Sequence, residues 1–309
     1  MLYTGDIMIL IFILYFLCAL TFTLAKSTLA YAQPVFYVGI RMFIAGVGLI
    51  SFYYCKNGLP HRIARKEWKL ILQIMFFSIY CAYVLDLWSL QFLTSTESSL
   101  VFNLSPFIAA LFSYIWFKET MTLKKWLGLM LGSFSLLPLI FLHQEAVLSF
   151  DAYRIIPLCA LLISVTASAY GWILMRELII DHDRSPILIN GIAMLGGGIM
   201  ALITSGLTER WTPSPVYEWP QFLLYTFLMI IVANVMFSNL YGYLLKSYTA
   251  TFVSFAGFLC PIFTALLGSL FLNEPLNARF FFSLFGVFTG LILFYQEELR
   301  QGYSQNSLE

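Results

Sequence analysis

The chain has 309 residues, of which 60% are hydrophobic and only 11% are charged. A soluble domain carries about 25% charged residues, so the 17 basic and 16 acidic side chains present here are too few to cover a soluble protein of this length. A net charge of +1 also excludes a general basic surface for nucleic acids. The composition therefore predicts an integral membrane protein.

Apolar runs of membrane-spanning length follow one another along the whole chain. A span needs about 20 residues, which leaves almost nothing for a soluble domain. No Lys or Arg precedes the first run, and it is longer than a signal-peptide core of about 7 to 15 residues, so we interpret it as a retained helix. The ten predicted spans are Ile7–Ala25, Pro34–Tyr54, Trp68–Leu93, Thr96–Phe117, Leu123–Leu142, Ile155–Leu178, Pro186–Ser205, Pro220–Leu245, Thr249–Leu272 and Ala278–Tyr295.

The basic residues are distributed unevenly between the two sides of the membrane. With these spans, twelve of the 17 Lys and Arg fall on the side of the N-terminus. Four fall on the other side, at Lys26, Arg154, Arg210 and Arg279, and Arg41 lies inside the second span. Because short cytoplasmic loops carry an excess of Lys and Arg, both termini are predicted to be cytoplasmic.

The fourth and ninth spans share a pattern of residues. Glu97–Glu119 and Phe252–Glu274 lie 155 residues apart and match at six positions, including a central proline, Pro106 or Pro261, and a terminal glutamate. With five spans in each half, the second half enters the membrane from the opposite side. The pattern predicts one all-α integral membrane domain made of two inverted five-helix repeats, residues 1–150 and 151–309.

The two prolines allow two interpretations. A proline inside a membrane helix frees a backbone carbonyl and bends the helix. Pro106 and Pro261 are therefore predicted either to be gating hinges between two states of the protein or to be static kinks needed for packing. Glycines follow each terminal glutamate at GxxxG spacing, in the fifth and tenth spans, and are interpreted as packing faces.

These features together carry a resemblance to a known family. Lys26 ends the first span, Arg41 lies in the second, and the same spacing recurs in Ser99, Pro106 and Glu119 and in Ser254, Pro261 and Glu274. Over its whole length the chain resembles the EamA-type drug/metabolite transporter superfamily. The resemblance implies a ten-helix inverted-repeat bundle in the bacterial inner membrane, monomeric or homodimeric. It also implies a central cavity lined mainly by the first, third, fourth, sixth, eighth and ninth helices.

Ionisable residues within the membrane are costly and are therefore candidates for function. Arg41 and Asp86 are the two candidates that lie deepest in their spans. They are predicted either to pair with each other or to present Asp86 to substrate in the cavity. Glu97, at the outer mouth of the fourth span, is predicted to be a gating residue.

Polar and aromatic residues at helical spacing complete the predicted site. Asn103 and Asn234 are amides at membrane depth that contact either substrate or another helix. The aromatic residues belong either to the core and the interfacial belt or to a ligand platform. The predicted substrate-binding residues are Tyr83, Asp86, Trp88, Asn103, Tyr170, Trp172, Asn234, Ser238 and Tyr241.

Sequence motifs favour a secondary transporter over an enzyme. The chain has no G-x-S-x-G nucleophile motif, no H-E-x-x-H zinc motif and no Walker loop. We therefore predict no catalytic residue, no metal and no cofactor, and transport by alternating access. A passive channel is the alternative class.

The predicted substrate combines positive charge with flat rings. In an apolar site a carboxylate such as Asp86 attracts a cation, and aromatic faces add cation–π and stacking energy. S-adenosylmethionine meets both demands, and the chain is similar to EamA-type carriers that take up S-adenosylmethionine, in exchange for S-adenosylhomocysteine, in intracellular bacteria. The alternative is an exporter of amino acids, drugs or metabolites, in which Arg41 holds a carboxylate and Asp86 an amine.

Cysteine accessibility tests the predicted orientation. In a variant without the five native cysteines, Arg62→Cys is expected to resist a membrane-impermeant maleimide in intact cells and to react once the cells are permeabilised. Glu218→Cys, in the predicted outer connection from Trp211 to Trp219, is the control and is expected to react in intact cells. Labelling of Arg62→Cys in intact cells would overturn the orientation.

Overall fold

A computed structural model describes residues 4–58, 63–93, 98, 101–140, 152–272 and 278–302. Within these ranges every regular element is a helix, apart from one isolated bridge between Ala32 and Val216. Helices are expected because a bilayer core offers the backbone no water, so the chain must satisfy its own N–H and C=O groups. The helices are α1 Thr4–Thr28, α2 Pro34–Asn57, α3 Arg65–Ser89, α4 Ser105–Phe117, α5 Leu123–Ile140, α6 Ala152–Ile180, α7 Pro186–Thr208, α8 Trp219–Leu244, α9 Ala250–Ala256, α10 Leu259–Leu272 and α11 Ala278–Gln301.

Seven stretches of the described chain are long and apolar enough to cross a membrane. They are Pro34–Asn57, Arg65–Ser89, Ile155–Ile180, Pro186–Thr208, Trp219–Leu244, Ala250–Leu267 and Phe280–Gln301. α1 and α4 contribute shorter apolar helices, Ile9–Thr21 and Ser105–Phe117. The predicted all-helical membrane architecture is confirmed for the described residues, whereas the count of ten spans stays a prediction.

Glycines bring α2 and α7 into direct backbone contact along their length. A Cβ atom on Gly46 would lie 2.4 Å from the backbone nitrogen of Leu195, and one on Gly198 would lie 2.6 Å from that of Phe43. A Cβ atom on Gly39 would lie 2.9 Å from the α7 backbone as well. No larger side chain fits at these positions, so the two helices pack at the closest distance that backbone allows.

The same kind of contact joins α5 to α11. A Cβ atom on Gly128 would lie 2.7 Å from the carbonyl oxygen of Gly290, and one on Gly290 would lie 2.5 Å from that of Gly128. One turn away, Gly286 faces Ser135, whose Cβ atom would lie 2.3 Å from an added methyl group. The two glycine faces noted in the sequence therefore pack against each other within the chain.

Two helices contain π-helical segments of equal length. In α3 the segment is Ile74–Cys81 and in α8 it is Ile230–Phe237, each of eight residues. The second begins 156 residues after the first. π-Helical turns are rare and occur frequently at functional sites, and these two lie beside the central pocket described below.

Each predicted hinge proline follows an interruption of its helix. The chain turns at residues 103–104 before α4 begins, and at residues 257–258 between α9 and α10. Pro106 and Pro261 lie in the first turn of α4 and of α10, where the missing N–H leaves no backbone bond unmade. The sequence placed both prolines in the middle of a helix, but in the structure each one starts a new helix.

Polar contacts tie the helix ends together on both sides of the bundle. At one side, three ion pairs connect different elements: Glu119–Arg176, Lys125–Glu298 and Glu67–Arg184. At the other side, the Glu209 carboxylate accepts hydrogen bonds of 2.8 Å from the backbone N–H groups of Val35 and Phe36 in the first turn of α2. This carboxylate satisfies two donors that a helix start leaves open.

The α5–α11 contact predicts a steric effect on stability. Gly290→Val is expected to lower the thermal midpoint of the detergent-solubilised protein, because overpacking costs about 1 to 3 kcal/mol or more. Gly48→Val in α2 is the matched control, since a Cβ atom there meets nothing within 4 Å, and it is expected to keep the parental midpoint. An unchanged midpoint for Gly290→Val would contradict the contact between the two helices.

Candidate functional site

A buried arginine lies at the centre of the candidate site. Arg41 of α2 is 1% exposed, and its guanidinium carbon lies 5.2 Å from the ring centroids of both Tyr37 and Tyr83. Each ring face attracts the cation, an interaction worth about 2 kcal/mol when water is excluded. Tyr37 lies one turn before Arg41 in α2, whereas Tyr83 comes from α3. The guanidinium is therefore held between two helices.

Asp86 lies one turn after Tyr83 on α3 and is half-buried. It interacts electrostatically with Arg41, although no ion pair within 4.0 Å joins the two among the described residues. The Oδ1 atom of Asp86, the Nε atom of Arg41 and the hydroxyl of Tyr37 are buried, and each lacks a hydrogen-bond partner within the described structure. Each of the two side chains thus has a buried atom that makes no hydrogen bond within the described structure.

A pocket lies next to this charge pair. It is small in this conformation, with a cavity volume of about 20 Å³, and it is partly open to solvent. Tyr83 belongs both to its wall and to the Arg41 cluster, so the pocket and the charge pair share a side chain. The pocket is lined by Ile74, Ser78, Ile79, Tyr83, Ser168, Gly171, Trp172, Met175, Asn190 and Ser238.

An aromatic stack joins α6 and α8 beside the pocket. The rings of Trp172 and Tyr241 lie 3.9 Å apart between centroids with an interplanar angle of 22°. The Tyr241 hydroxyl lies 3.1 Å from the Ser254 hydroxyl of α9. Each ring therefore covers one face of the other, and of the two only Trp172 lines the pocket.

Asn190 of α7 is a pocket residue that the sequence prediction missed. Its side-chain nitrogen donates hydrogen bonds of 3.0 Å to the Ser238 carbonyl oxygen and to the Asn239 side chain. It is an amide inside a predicted span, which is the signal that singled out Asn103 and Asn234. Ser78 was missed too, and it faces Gly171 of α6, where an added Cβ atom would lie 2.1 Å from that of Ser78.

Asn234 makes contacts between helices in this conformation. Its side-chain nitrogen lies 3.0 Å from the sulfur of Met42 in α2 and 3.6 Å from that of Met194 in α7. Its side-chain oxygen is buried without a partner within the described structure. Of the two readings left open by the sequence, these contacts favour an interhelical amide.

Two predicted aromatic residues lie away from the pocket. Tyr170 donates a 2.6 Å hydrogen bond to Gln73 and packs in a cluster with Phe77, Phe112 and Trp116 between α3, α4 and α6. Trp88 contacts Phe92, with 5.0 Å between ring centroids.

The remaining predicted positions do not line the pocket. Asn103, Pro106 and Pro261 lie at the helix interruptions. Glu97, predicted as a gating residue, lies outside the described residues, as do Ser99 and Glu274. Within the part of the chain that is described, no three His, Cys, Asp or Glu side chains come together as metal ligands.

Several known proteins are similar in sequence to this chain over nearly its whole length. A protein of Chlamydia trachomatis named S-adenosylmethionine/S-adenosylhomocysteine transporter is 35% identical over 95% of this chain and 90% of its own length. A protein of the same name from Chlamydia muridarum is 34% identical over 96% and 94%. An uncharacterised transporter of Bacillus subtilis is 26% identical over 87% and 85%.

A solved structure and a family model agree with this likeness. A crystal structure superposes with a TM-score of 0.75 at 13% identity, covering 97% of this chain and 99% of that one, which shows a common fold. The model of the EamA-like transporter family matches twice, over residues 6–141 and 155–296. The named relatives and the matching family are transporters rather than enzymes. The chain belongs to the EamA-like transporter family.

Proposed function

We propose that this secondary transporter carries S-adenosylmethionine across the bacterial inner membrane in exchange for S-adenosylhomocysteine. The observation that carries the proposal is the near full-length likeness, at 35% identity, to a protein named for these two compounds. The site supports it chemically. S-adenosylmethionine combines an adenine ring with positive charge, and the described site combines the Trp172–Tyr241 stack with the unpaired carboxylate of Asp86.

The bundle is proposed to consist of ten spans in two inverted repeats, residues 1–150 and 151–309. Helices at equivalent positions of the halves pack on each other, α2 on α7 and α5 on α11. The π segments of α3 and α8 recur after 156 residues, and the interruptions before Pro106 and Pro261 recur after 154 residues. The family model also matches once in each half. Both termini are proposed to be cytoplasmic, because of the bias in Lys and Arg.

Alternating access is proposed to act through the paired interruptions. Proline cannot donate a backbone hydrogen bond, and its ring clashes with the carbonyl four residues earlier. Pro106 and Pro261 therefore keep α4 and α10 separate from the segments before them. Paired breaks of this kind at equivalent places in two halves are common in secondary transporters, where one repeat moves against the other around a fixed site.

Transport assays with purified protein in proteoliposomes test the substrate. Radiolabelled S-adenosylmethionine uptake is expected, with suppression by excess S-adenosylhomocysteine and no effect of excess Phe, Trp or Thr. Preloading the vesicles with unlabelled S-adenosylhomocysteine is expected to accelerate uptake, which a passive channel would not show. Empty liposomes are the control. Suppression by the amino acids alone would favour the amino-acid alternative, and a lack of labelled uptake would reject the substrate.

Substitution of the prolines tests the proposed movement. Pro106→Ala and Pro261→Ala each restore a backbone N–H and remove the clash, so the helix can continue through the interruption. We expect a lower turnover rate with substrate affinity largely kept, because the break contributes to switching rather than to contacts. Pro34→Ala, in the first turn of α2, is the matched control at a helix start. Parental turnover in both variants would leave the prolines as static features.

A further inference from the structure

Three buried polar atoms without a hydrogen-bond partner lie on neighbouring residues between α2 and α3. The Tyr37 hydroxyl, the Nε atom of Arg41 and the Oδ1 atom of Asp86 are buried without a hydrogen-bond partner in the described structure. Burying such groups unpaired costs free energy, and the cost is greatest for charged groups. A protein retains an arrangement like this where a ligand or water completes it.

The chemistry of these atoms defines what would complete them. Arg41 is only a donor and an ionised Asp86 is only an acceptor, so a ligand that satisfies both carries an acceptor and a donor close together, and the bonds are strongest when the acceptor is anionic and the donor cationic. An α-amino acid group has this property, since its carboxylate and ammonium are attached to one carbon atom. We infer that Arg41 and Asp86 form a clamp for the α-amino acid group of the substrate, with Arg41 donating to the carboxylate and Asp86 accepting from the ammonium.

The position of the clamp relative to the pocket gives the substrate an orientation. Tyr83 contacts the Arg41 guanidinium with one face and also lines the pocket. Trp172 and Tyr241 lie on α6 and α8. A ligand held at its amino acid end by α2 and α3 would direct its ring system toward this stack, which requires the pocket to widen beyond its volume of about 20 Å³ in this conformation. The clamp rests on the proposed function, because it assigns one part of the same substrate.

The clamp also explains how one site could accept both proposed substrates. S-adenosylmethionine carries a sulfonium charge, whereas S-adenosylhomocysteine has a neutral thioether. A site that recognised the sulfonium through Asp86 would bind S-adenosylhomocysteine poorly. The α-amino acid group is present in both compounds, so a site that recognises this group can bind either compound and supports their exchange.

Analogues that lack one charged group test the clamp in the unmodified transporter. Uptake of labelled S-adenosylmethionine is measured in proteoliposomes against S-adenosylhomocysteine and against decarboxylated S-adenosylmethionine, which keeps the sulfonium and the amine. The decarboxylated compound is expected to compete at least about tenfold more weakly than S-adenosylhomocysteine. This loss of affinity corresponds to one hydrogen bond to a charged group. Equal competition by the two compounds would overturn the clamp while leaving the proposed function intact. A lack of any S-adenosylmethionine uptake would reject both.

Two substitutions separate the roles of the charges. Arg41→Gln is expected to abolish the difference between the two competitors, a readout that a merely structural role would not change. Arg176→Gln, which breaks the ion pair with Glu119 outside the site, is the control and is expected to keep the difference. Asp86→Asn is expected to weaken the binding of S-adenosylmethionine and of S-adenosylhomocysteine by the same factor. Weaker binding of S-adenosylmethionine alone would show that Asp86 recognises the sulfonium, and the proposed clamp would then be wrong.

Discussion

The site depends on the backbone contact between α2 and α7. Glycines at this interface leave no side chain between the helices, so a Cβ atom on Gly198 would lie 3.0 Å from the carbonyl oxygen of Gly39. Gly39 lies two residues before Arg41. The α2 face near Arg41 is therefore filled by α7, and the guanidinium is turned toward the rings of Tyr37 and Tyr83. A bulkier residue at this contact would move the arginine relative to the pocket.

A charge buried at this depth must be compensated by its surroundings. An arginine at the centre of a membrane helix costs about 2.5 to 3.5 kcal/mol on insertion scales. Two cation–π contacts and the nearby carboxylate of Asp86 offset part of this cost, but they leave the Nε atom of Arg41 without an acceptor. If Arg41 and Asp86 formed a complete ion pair, their charges would neutralise each other and few of their polar atoms would remain free to bind a ligand. Their separation keeps both available.

The two ends of the bundle are held by different interactions. At one end, side chains pair with side chains, as in Glu119–Arg176 and Lys125–Glu298. At the other end, the Glu209 carboxylate binds backbone N–H groups at the start of α2. Both kinds of contact join different helices, because Glu209 follows the last turn of α7 and binds the start of α2. Each contact therefore opposes separation of the helices that it joins.

The sequence by itself determined the membrane class, the helical architecture and the residues that bear charge at depth. Composition establishes the membrane class, and the need for internal backbone hydrogen bonds establishes the helical architecture. Pro34 and Pro186 mark the starts of α2 and α7 in both sequence and structure. The charge pair was also identified, because an arginine and an aspartate within apolar spans stand out without any knowledge of packing.

The neighbours of these residues depend on how the whole chain folds. Tyr170 and Trp172 are two residues apart, so they point to opposite sides of α6, about 200° around a helix of 3.6 residues per turn. Trp172 lines the pocket, whereas Tyr170 packs with Phe112 and Trp116. Helical periodicity separates two faces but does not say which helix covers each one. That assignment follows from contacts between residues far apart in the chain, such as α2 with α7, which no local pattern contains.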